Sequence, residues 1–144
     1  MIKKMVAIER EGEAVDSVEL SWFDMQKPNL TAVSQKGVNF IVKAKFTHLH
    51  EGDILVGEDG YSVSVKRGKD TLYNFYFCDA LTFAKTAYEI GNRHQPIEIE
   101  PLAIRVLNDI SLEDIIKSCQ SDASVEVEKI EDYFKPNGKA HHSH

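Results

Sequence analysis

The sequence has 144 residues, with 17 lysines and arginines against 23 aspartates and glutamates, giving a formal net charge of −6 when histidine is neutral. Hydrophobic residues make up 42% of the chain and charged residues 28%, which excludes a disordered tail, and no run approaches the roughly 18 apolar residues of a transmembrane helix. Because the chain is acidic we expect no nucleic-acid binding, and because it lacks such an apolar run we expect no membrane association.

Residues 1–68 are predicted to form a small all-β domain. Apolar and polar residues alternate over 38–47, which is typical of a half-buried strand. Asp59-Gly60 separates two apolar runs, 53–57 and 61–65, and predicts a β-hairpin because glycine accepts a positive φ.

Residues 69–135 are predicted to form a second domain, which begins with a strand over 72–77 and a helix over 80–90. Asp79 is placed to cap the start of this helix. Gly91 is predicted to end it in the left-handed conformation.

Two alternating runs, 97–100 and 102–106, predict the next strands of this domain. Ser111 resembles the first residue of a capping box for a second helix, and Val125 and Val127 mark a last strand. The order strand, helix, strand, strand, helix, strand predicts a ferredoxin-like domain. The fold class is therefore α+β, with a flexible, histidine-containing tail over 136–144.

The two cysteines, Cys78 and Cys119, lie far apart and form no C-x-x-C motif. Since the N-terminus lacks the pattern of a secretory signal, we expect reduced thiols and a cytoplasmic protein. Cys119 falls on the apolar side of the second predicted helix, which favours core packing over a metal or disulfide role.

Histidine is the residue type that points to chemistry. His94 follows the first predicted helix in the stretch Gly91-Asn92-Arg93-His94, and imidazole is a common ligand for zinc, copper, nickel and iron. A single histidine on a turn is also typical of a surface residue. His141, His142 and His144 form a short histidine-rich tract, a pattern associated with metal binding, with a solvated tail or a tag remnant as alternatives.

A second H-x-H pair, His48 and His50, could chelate a metal or be surface polar residues at a strand end. Tyr73, Phe75 and Phe77 could stack on RNA bases, but a buried strand is favoured because no RNP1-type motif is present. No H-E-x-x-H, G-x-S-x-G, P-loop or dinucleotide-binding motif occurs, so the chain is predicted not to be an enzyme.

Over nearly its whole length the chain resembles the urease accessory proteins that act as nickel metallochaperones. The resemblance is strongest in the run 87–94, which ends in Gly-Asn-Arg-His, and it extends to 49–55 and to Phe134-Lys135-Pro136. It implies a peptide-binding-like domain over 1–68 and a metal-binding domain over 69–135. Two stretches, 107–110 and 119–122, depart from the family pattern because they lack its extra histidines and its glycine.

The resemblance implies that His94 binds Ni²⁺ at a homodimer interface and that His142, His144 and His141 add ligands from the tail. It also implies delivery of Ni²⁺ for assembly of the urease active site, with a urease accessory GTPase and the urease maturation complex as partners. Ligand type alone does not select nickel, since Zn²⁺ or Cu²⁺ also binds imidazole. The alternatives are a general divalent-metal buffer and a protein-binding chaperone module with incidental metal binding.

Overall fold

The computed structural model of the chain describes residues 2–43 and 48–137. These residues form two compact units, which divide between Lys69 and Asp70. Both units contain strands and at least one helix, so the predicted α+β class is confirmed. Among the described residues, no helix is both long and apolar enough to cross a membrane.

The first unit is built on a six-stranded sheet. Its strands are β1 (Lys3–Glu9), β2 (Asp16–Leu20), β3 (Asn29–Val33), β4 (Asn39–Lys43), β5 (Ile54–Gly57) and β6 (Ser62–Arg67). They lie in the order β2-β6-β5-β1-β4-β3, with β1 parallel to β4 and β2 parallel to β6. Phe40, Leu55 and Val63 are fully buried in the core that these strands form.

The predicted hairpin is confirmed, because β5 and β6 pair antiparallel and Gly60 in the turn between them has φ 86°. In β4, Phe40 and Val42 are buried while the residues at its two ends are exposed, as the alternation predicted. Residues 44–47 of that predicted strand lie outside the described residues.

The prediction that this unit contains only strands is wrong at α1 (Trp22–Met25). The hydroxyl of Ser21 accepts a hydrogen bond from the N–H of Asp24 at 3.1 Å and so caps the helix. A helix of four residues is too short to produce a helical repeat in the sequence, which is why the pattern did not predict it.

The second unit combines a four-stranded sheet with two helices. Its elements are β7 (Asp70–Phe77), α2 (Ala80–Asn92), β8 (Glu98–Glu100), β9 (Ala103–Leu107), α3 (Glu113–Gln120) and β10 (Val125–Asp132). The strands are antiparallel and lie in the order β10-β7-β9-β8. β10 and β8 therefore form the two opposite edges of this sheet.

One face of this sheet packs against α2 and α3 in a single apolar cluster. Phe75, Phe77 and Ile90 are buried in it, which confirms that β7 is a buried strand and leaves neither phenylalanine free to stack on a base. Cys119 is also buried there, as predicted, and burial raises the pKa of its thiol. Cys78 is exposed.

The start of α2 agrees with the prediction, but its end does not. The carboxylate of Asp79 accepts a hydrogen bond from the N–H of Thr82 at 2.8 Å. At the other end, Gly91 lies inside the helix, and the residue in the left-handed conformation is His94, with φ 57°. The predicted glycine cap is wrong because helical hydrogen bonding continues to the N–H of Arg93.

The predicted capping box at Ser111 is also wrong. Ser111 lies inside a 3-10 turn over Ile110–Leu112, and its N–H donates to the carboxylate of Asp109 at 2.8 Å. α3 then begins at Glu113 without a side-chain cap. An aspartate two residues earlier competes for the same backbone N–H, so the cap moves to that residue.

Candidate metal centre at the His94 turn

His94 lies at the surface of the second unit, on the turn that follows α2. Its N–H donates to the carbonyl of Gly91 at 2.9 Å, and its φ of 57° is in the left-handed region. A non-glycine residue in that region costs about 1–2 kcal/mol, so the surrounding turn must hold it there. Within residues 2–43 and 48–137, no side chain is hydrogen-bonded to its imidazole, so no described side chain occupies either ring nitrogen.

The preceding residue ties this turn to the start of α3. The guanidinium of Arg93 donates to both carboxylate oxygens of Asp114, with Nη2 at 2.7 Å from Oδ2, and to the carbonyl of Ser111 at 2.8 Å. The hydrogen bond from Arg93 lowers the pKa of the Asp114 carboxyl to about 2. The two-pronged pair fixes the direction of the arginine as well as its charge, and so it holds the adjacent His94 in place.

After β10 the chain runs to β8, the strand that follows the His94 turn in the sequence. β10 ends at one edge of the sheet and β8 is the other edge, so residues 133–137, which we call the strap, carry the chain across the sheet. Phe134 in the strap is fully buried, although it lies outside the cluster that the helices form. The N–H of Lys135 donates to the carboxylate of Glu98 at 3.0 Å, which joins the strap to β8.

The strap ends in hydrogen bonds to the backbone of β8. The N–H of Asn137 donates to the carbonyl of Ile97 at 3.0 Å. Its side-chain amide donates to the carbonyl of Ile99 at 3.0 Å, and its side-chain oxygen accepts from the N–H of Ile99 at 2.8 Å. Asn137, the last described residue, is thus hydrogen-bonded to Ile97, which follows His94 by three positions in the sequence.

The three tail histidines, His141, His142 and His144, lie outside the described residues. The structure therefore does not place them relative to His94. It does place the point from which the tail departs, because Asn137 is described and hydrogen-bonded to Ile97.

The second histidine pair lies in the first unit, in a different environment. The rings of His48 and His50 meet edge to face, with centroids 6.1 Å apart. Nδ1 of His50 lies 3.2 Å from the guanidinium of Arg10, which also contacts the buried carboxylate of Asp53 at 2.5 Å. A fixed cation beside the ring opposes the approach of a metal cation. Among the described residues, no group of three or more histidine, cysteine, aspartate or glutamate side chains could hold a metal ion.

The outward face of α2 carries apolar side chains up to the edge of the His94 turn. Leu81 is 64% exposed and Tyr88 is 73% exposed, and Ala84 and Gly91 lie on the same side at a spacing of three and four residues. We call these four residues the α2 stripe. A Cβ atom added to Gly91 would meet nothing within 4 Å, and its φ is not positive, so neither crowding by described residues nor backbone conformation requires glycine there.

The sequence analysis did not assign a role to the α2 stripe, to Asp114 or to Asn137. The i, i+3, i+7 spacing of Leu81, Ala84 and Tyr88 is visible in the sequence, and it could have shown that α2 has an apolar face on each side. Asp114 and Asn137 gave no signal, because their roles depend on partners 21 and 38 residues away.

The family model and the curated relatives that match this chain point to the same family. The family model described as "UreE urease accessory protein, C-terminal domain" matches residues 71–144. The chain is 65% identical over 144 residues to urease accessory protein UreE of Aliarcobacter butzleri strain RM4018, covering all of this chain and 97% of that protein. It is 34% identical over 117 residues to urease accessory protein UreE of Alcanivorax borkumensis strain SK2, covering 81% of this chain and 65% of that protein.

A further relative is urease accessory protein UreE of Proteus mirabilis strain HI4320. It is 36% identical over 83 residues, which cover 58% of this chain and 52% of that protein. The chain therefore spans nearly all of the first relative and about half to two thirds of the other two. The family resemblance predicted from the sequence is confirmed.

Proposed function

The chain belongs to the urease accessory protein UreE family, and we propose from this that it is a nickel-binding metallochaperone that delivers Ni²⁺ for assembly of the urease active site. It is an accessory protein and not an enzyme, as predicted. The observation that carries the proposal is the His94 turn, where an exposed imidazole is held on a strained backbone by the Arg93–Asp114 pair. A residue kept in a costly conformation at the surface is a candidate for function.

His94 alone supplies one ligand, whereas a first-row metal ion takes about four to six. A two-fold axis close to His94 would bring a second copy of the same imidazole to the same ion. We therefore propose that the chain is a homodimer and that the two copies of His94 share the metal. A shared ion also explains why the turn presents its imidazole outward.

The α2 stripe supports this dimer. Exposed Leu81 and Tyr88 provide apolar area that a second copy can cover, and aromatic side chains are common at the centre of interfaces. Glycine inside a helix costs about 1 kcal/mol relative to alanine, and no described neighbour requires it at Gly91. We infer that the close approach comes from the second copy, beside His94 and the two-fold axis.

The tail is proposed to complete the coordination shell with His142 and His144, and with His141. Asn137 is hydrogen-bonded to Ile97, three residues after His94, and four to seven extended residues span roughly 14–24 Å, so a tail of this length is comparable to the distance that its histidines would have to cover. Ordering the tail costs conformational entropy at each binding event. Ligands of this kind hold a metal less tightly than a closed site does, which suits transfer to a partner.

Further parts of the proposal concern the two units and their surroundings. We propose that residues 1–68 form a peptide-binding-like domain, that residues 69–135 form a ferredoxin-like metal-binding domain, and that residues 136–144 act as its tail. The strand order β10-β7-β9-β8 supports the ferredoxin-like assignment. The proposed partners are a urease accessory GTPase and the urease maturation complex, in the cytoplasm, with Zn²⁺ or Cu²⁺ as competing ions.

Equilibrium dialysis against Ni²⁺ tests the proposal. His94→Ala should lower nickel affinity at least 100-fold, because a two-fold site loses two ligands at once. The matched control is His50→Ala, which removes an exposed histidine that is bonded to Arg10 and should leave nickel affinity unchanged. Unchanged uptake by His94→Ala would contradict the assignment.

Two assays separate this function from its alternatives. Failure of the nickel-loaded protein to bind a urease accessory GTPase in a pull-down would favour a general divalent-metal buffer. Full urease activation by His94→Ala in a reconstituted maturation assay would favour a chaperone module in which metal binding is incidental.

A further inference from the structure

Three neighbouring strands of the first unit carry exposed apolar side chains on their outward face. β1, β4 and β3 lie side by side in the six-stranded sheet, and Lys4, Ile41 and Thr31 are aligned across them. Successive side chains of a strand point to opposite faces, so residues two positions from these three share their face. What we call the β1–β4–β3 face is formed by Ile2, Lys4, Val6, Ile41, Lys43 and Val33, with uncharged polar residues at the remaining outward positions.

The two faces of these strands differ in how well they are covered. The inward face is packed, since Phe40 and Val42 of β4 are buried in the core of the unit. On the outward face, Ile2, Val6 and Val33 are each more than half exposed. Large aliphatic side chains gathered on one exposed side of a sheet are typical of an interaction surface.

The charge of this face differs from that of the whole chain. The chain has a net charge of −6, yet the outward positions hold two lysines, Lys4 and Lys43, and no acidic residue. Both lysines are exposed, and neither forms an ion pair within residues 2–43 and 48–137. Glu58 approaches from the turn after β5, where its N–H donates to the carbonyl of Lys4 at 3.1 Å. The two ammonium groups beside aliphatic side chains complement a surface that combines carboxylates with aliphatic groups.

The dimensions of the face limit what it can accept. β3 and β4 have five residues each, and strands lie about 4.8 Å apart with a rise of about 3.3 Å per residue, so the face measures roughly 14 by 17 Å. One helix of about three turns fits this area, because a helix is about 10–12 Å wide with its side chains. A typical globular partner would need an area about three times as large.

We propose that the β1–β4–β3 face is the docking site for one amphipathic helix of a protein partner. The apolar side of that helix covers the exposed aliphatic residues, and carboxylates flanking it pair with Lys4 and Lys43. This inference deepens the peptide-binding role proposed for residues 1–68 and rests on it. A second copy of the chain fits poorly, because a two-fold contact would bring the lysines of both faces together. An anionic membrane also fits poorly, because recognition of anionic lipids takes a cluster of about four to eight lysines and arginines.

Nuclear magnetic resonance titration of the full chain with two synthetic peptides tests the proposal. The first peptide is an amphipathic helix with leucine on one side and glutamate beside it, and the second is identical except that lysine replaces each glutamate. We expect the glutamate peptide to shift the backbone amide resonances of β1, β4 and β3, and the lysine peptide to bind at least about tenfold more weakly. A glutamate peptide that leaves these resonances unchanged would overturn the proposal.

Reversing the charge of the face should exchange this preference. Lys4→Glu or Lys43→Glu should weaken binding of the glutamate peptide about tenfold and strengthen binding of the lysine peptide. The matched control is Lys85→Glu, which reverses an exposed lysine of α2 in the second unit and should change neither affinity. An equal loss in Lys85→Glu would contradict the proposal, because binding would then follow the net charge of the chain.

The apolar contact is tested by a substitution that keeps the shape of the side chain. Val33→Thr replaces a methyl group with a hydroxyl group on an exposed, β-branched residue, and it should weaken the glutamate peptide about threefold. The matched control is Val15→Thr, because Val15 is 56% exposed against 57% for Val33 and lies next to β2, at the other edge of the sheet. Equal affinity of the two variants would contradict an apolar contact at this face.

The outcomes distinguish this inference from the function on which it rests. If the glutamate peptide shifts only resonances elsewhere in the first unit, the peptide-binding role remains and the assignment to this face is refuted. Should neither peptide shift any resonance of that unit, the peptide-binding role would fail together with the inference. Binding of the chain to phosphatidylserine vesicles, lost in Lys4→Glu, would assign the face to a membrane and overturn the proposal.

Discussion

Each unit contains a histidine-bearing turn, and the two turns use histidine differently. In the first unit, His50 lies against the Arg10 guanidinium, and its N–H donates to the buried carboxylate of Asp53 at 2.8 Å. In the second unit, the imidazole of His94 has no hydrogen-bonding partner among the described side chains, and the neighbouring Arg93 makes the contacts instead.

The difference shows what makes a histidine available for a metal. The first turn has two histidines at chelating spacing, His48 and His50, which is the stronger metal-binding pattern in the sequence. Nδ1 of His50, however, faces the guanidinium of Arg10. The second turn has a single histidine, and adjacent residues supply the interactions that hold the backbone. Availability therefore depends on which residue carries the structural contacts, and the spacing of histidines alone does not reveal it.

Among the substitutions that distinguish the two turns, Asp53→Ala should have the largest effect, and that effect is on stability. This carboxylate is buried, and its loss leaves the N–H of His50 and the Arg10 guanidinium without their acceptor. We expect the free energy of unfolding of the first unit to fall by roughly 2–3 kcal/mol. Urea unfolding followed by circular dichroism measures it, and nickel affinity should not change.

The control for Asp53→Ala is Asp24→Ala, which removes an exposed i, i+3 pair with Lys27 in the same unit. It should cost less than about 1 kcal/mol. A loss of nickel binding in Asp53→Ala with the second unit still folded would show that the first turn takes part in the site.

Arg93→Ala should lower nickel affinity and change stability little, which is the opposite of the result expected for Asp53→Ala. Removing the guanidinium frees the turn from Ser111 and Asp114, so the left-handed backbone at His94 is no longer held. We expect nickel affinity to fall about tenfold, while the loss of this exposed, solvent-screened ion pair should change the stability of the chain little. Isothermal titration with Ni²⁺ tests this, and Arg10→Ala, which alters the corresponding arginine of the first turn, should leave the affinity unchanged.

Acid should destabilise the first unit by protonating the buried carboxylate of Asp16, the first residue of β2. Burial raises the pKa of Asp16, but hydrogen bonds from the hydroxyls of Ser34 and Tyr61 and from backbone N–H groups outweigh it and bring the pKa from 3.8 to about 2. A pKa lowered by folding means that the ionised form stabilises the native state, and this stabilisation is lost as the pH falls from about 4 to about 2.

The midpoint of thermal unfolding should therefore decline over that pH range, and Asp16→Asn should flatten the decline. Because the partners of Asp16 are neutral groups, 0.5 M salt (about a 4 Å screening length) should not change this slope. A slope that is the same in Asp16→Asn would contradict the assignment to this residue.

The smallest effect is expected at the α2 stripe. Gly91→Ala introduces a Cβ that meets no described atom, so the isolated chain should gain up to about 1 kcal/mol of stability. The same methyl group should weaken a dimer in which a second copy approaches closely at this position. Thermal unfolding and sedimentation equilibrium measure the two effects, and a stabilised variant that dimerises normally would place the interface elsewhere.

The sequence predicted those parts of the fold that depend on local pattern. The hairpin around Gly60, the cap at Asp79 and the apolar face that contains Cys119 each follow from neighbouring residues, and all are confirmed. The predictions failed where two local signals competed. Gly91 is a good helix terminator, but backbone hydrogen bonds carry the helix past it and His94 takes the left-handed conformation.

The supporting parts of the site depend on contacts between distant residues. Parallel pairing of β1 with β4, the Arg93–Asp114 pair and the passage of the strap to β8 all join segments that no spacing rule connects. His94 itself could be selected from its motif, whereas the reasons for its availability came only from the structure.

The central claim, that two copies of the chain share one nickel ion through His94, is tested most directly by native mass spectrometry with and without Ni²⁺. We expect a dimer that carries one Ni²⁺ bound by both copies of His94, and loss of that ion in His94→Ala under the same conditions. One tightly bound Ni²⁺ per monomer, or a dimer of His94→Ala that keeps the shared ion, would contradict the claim.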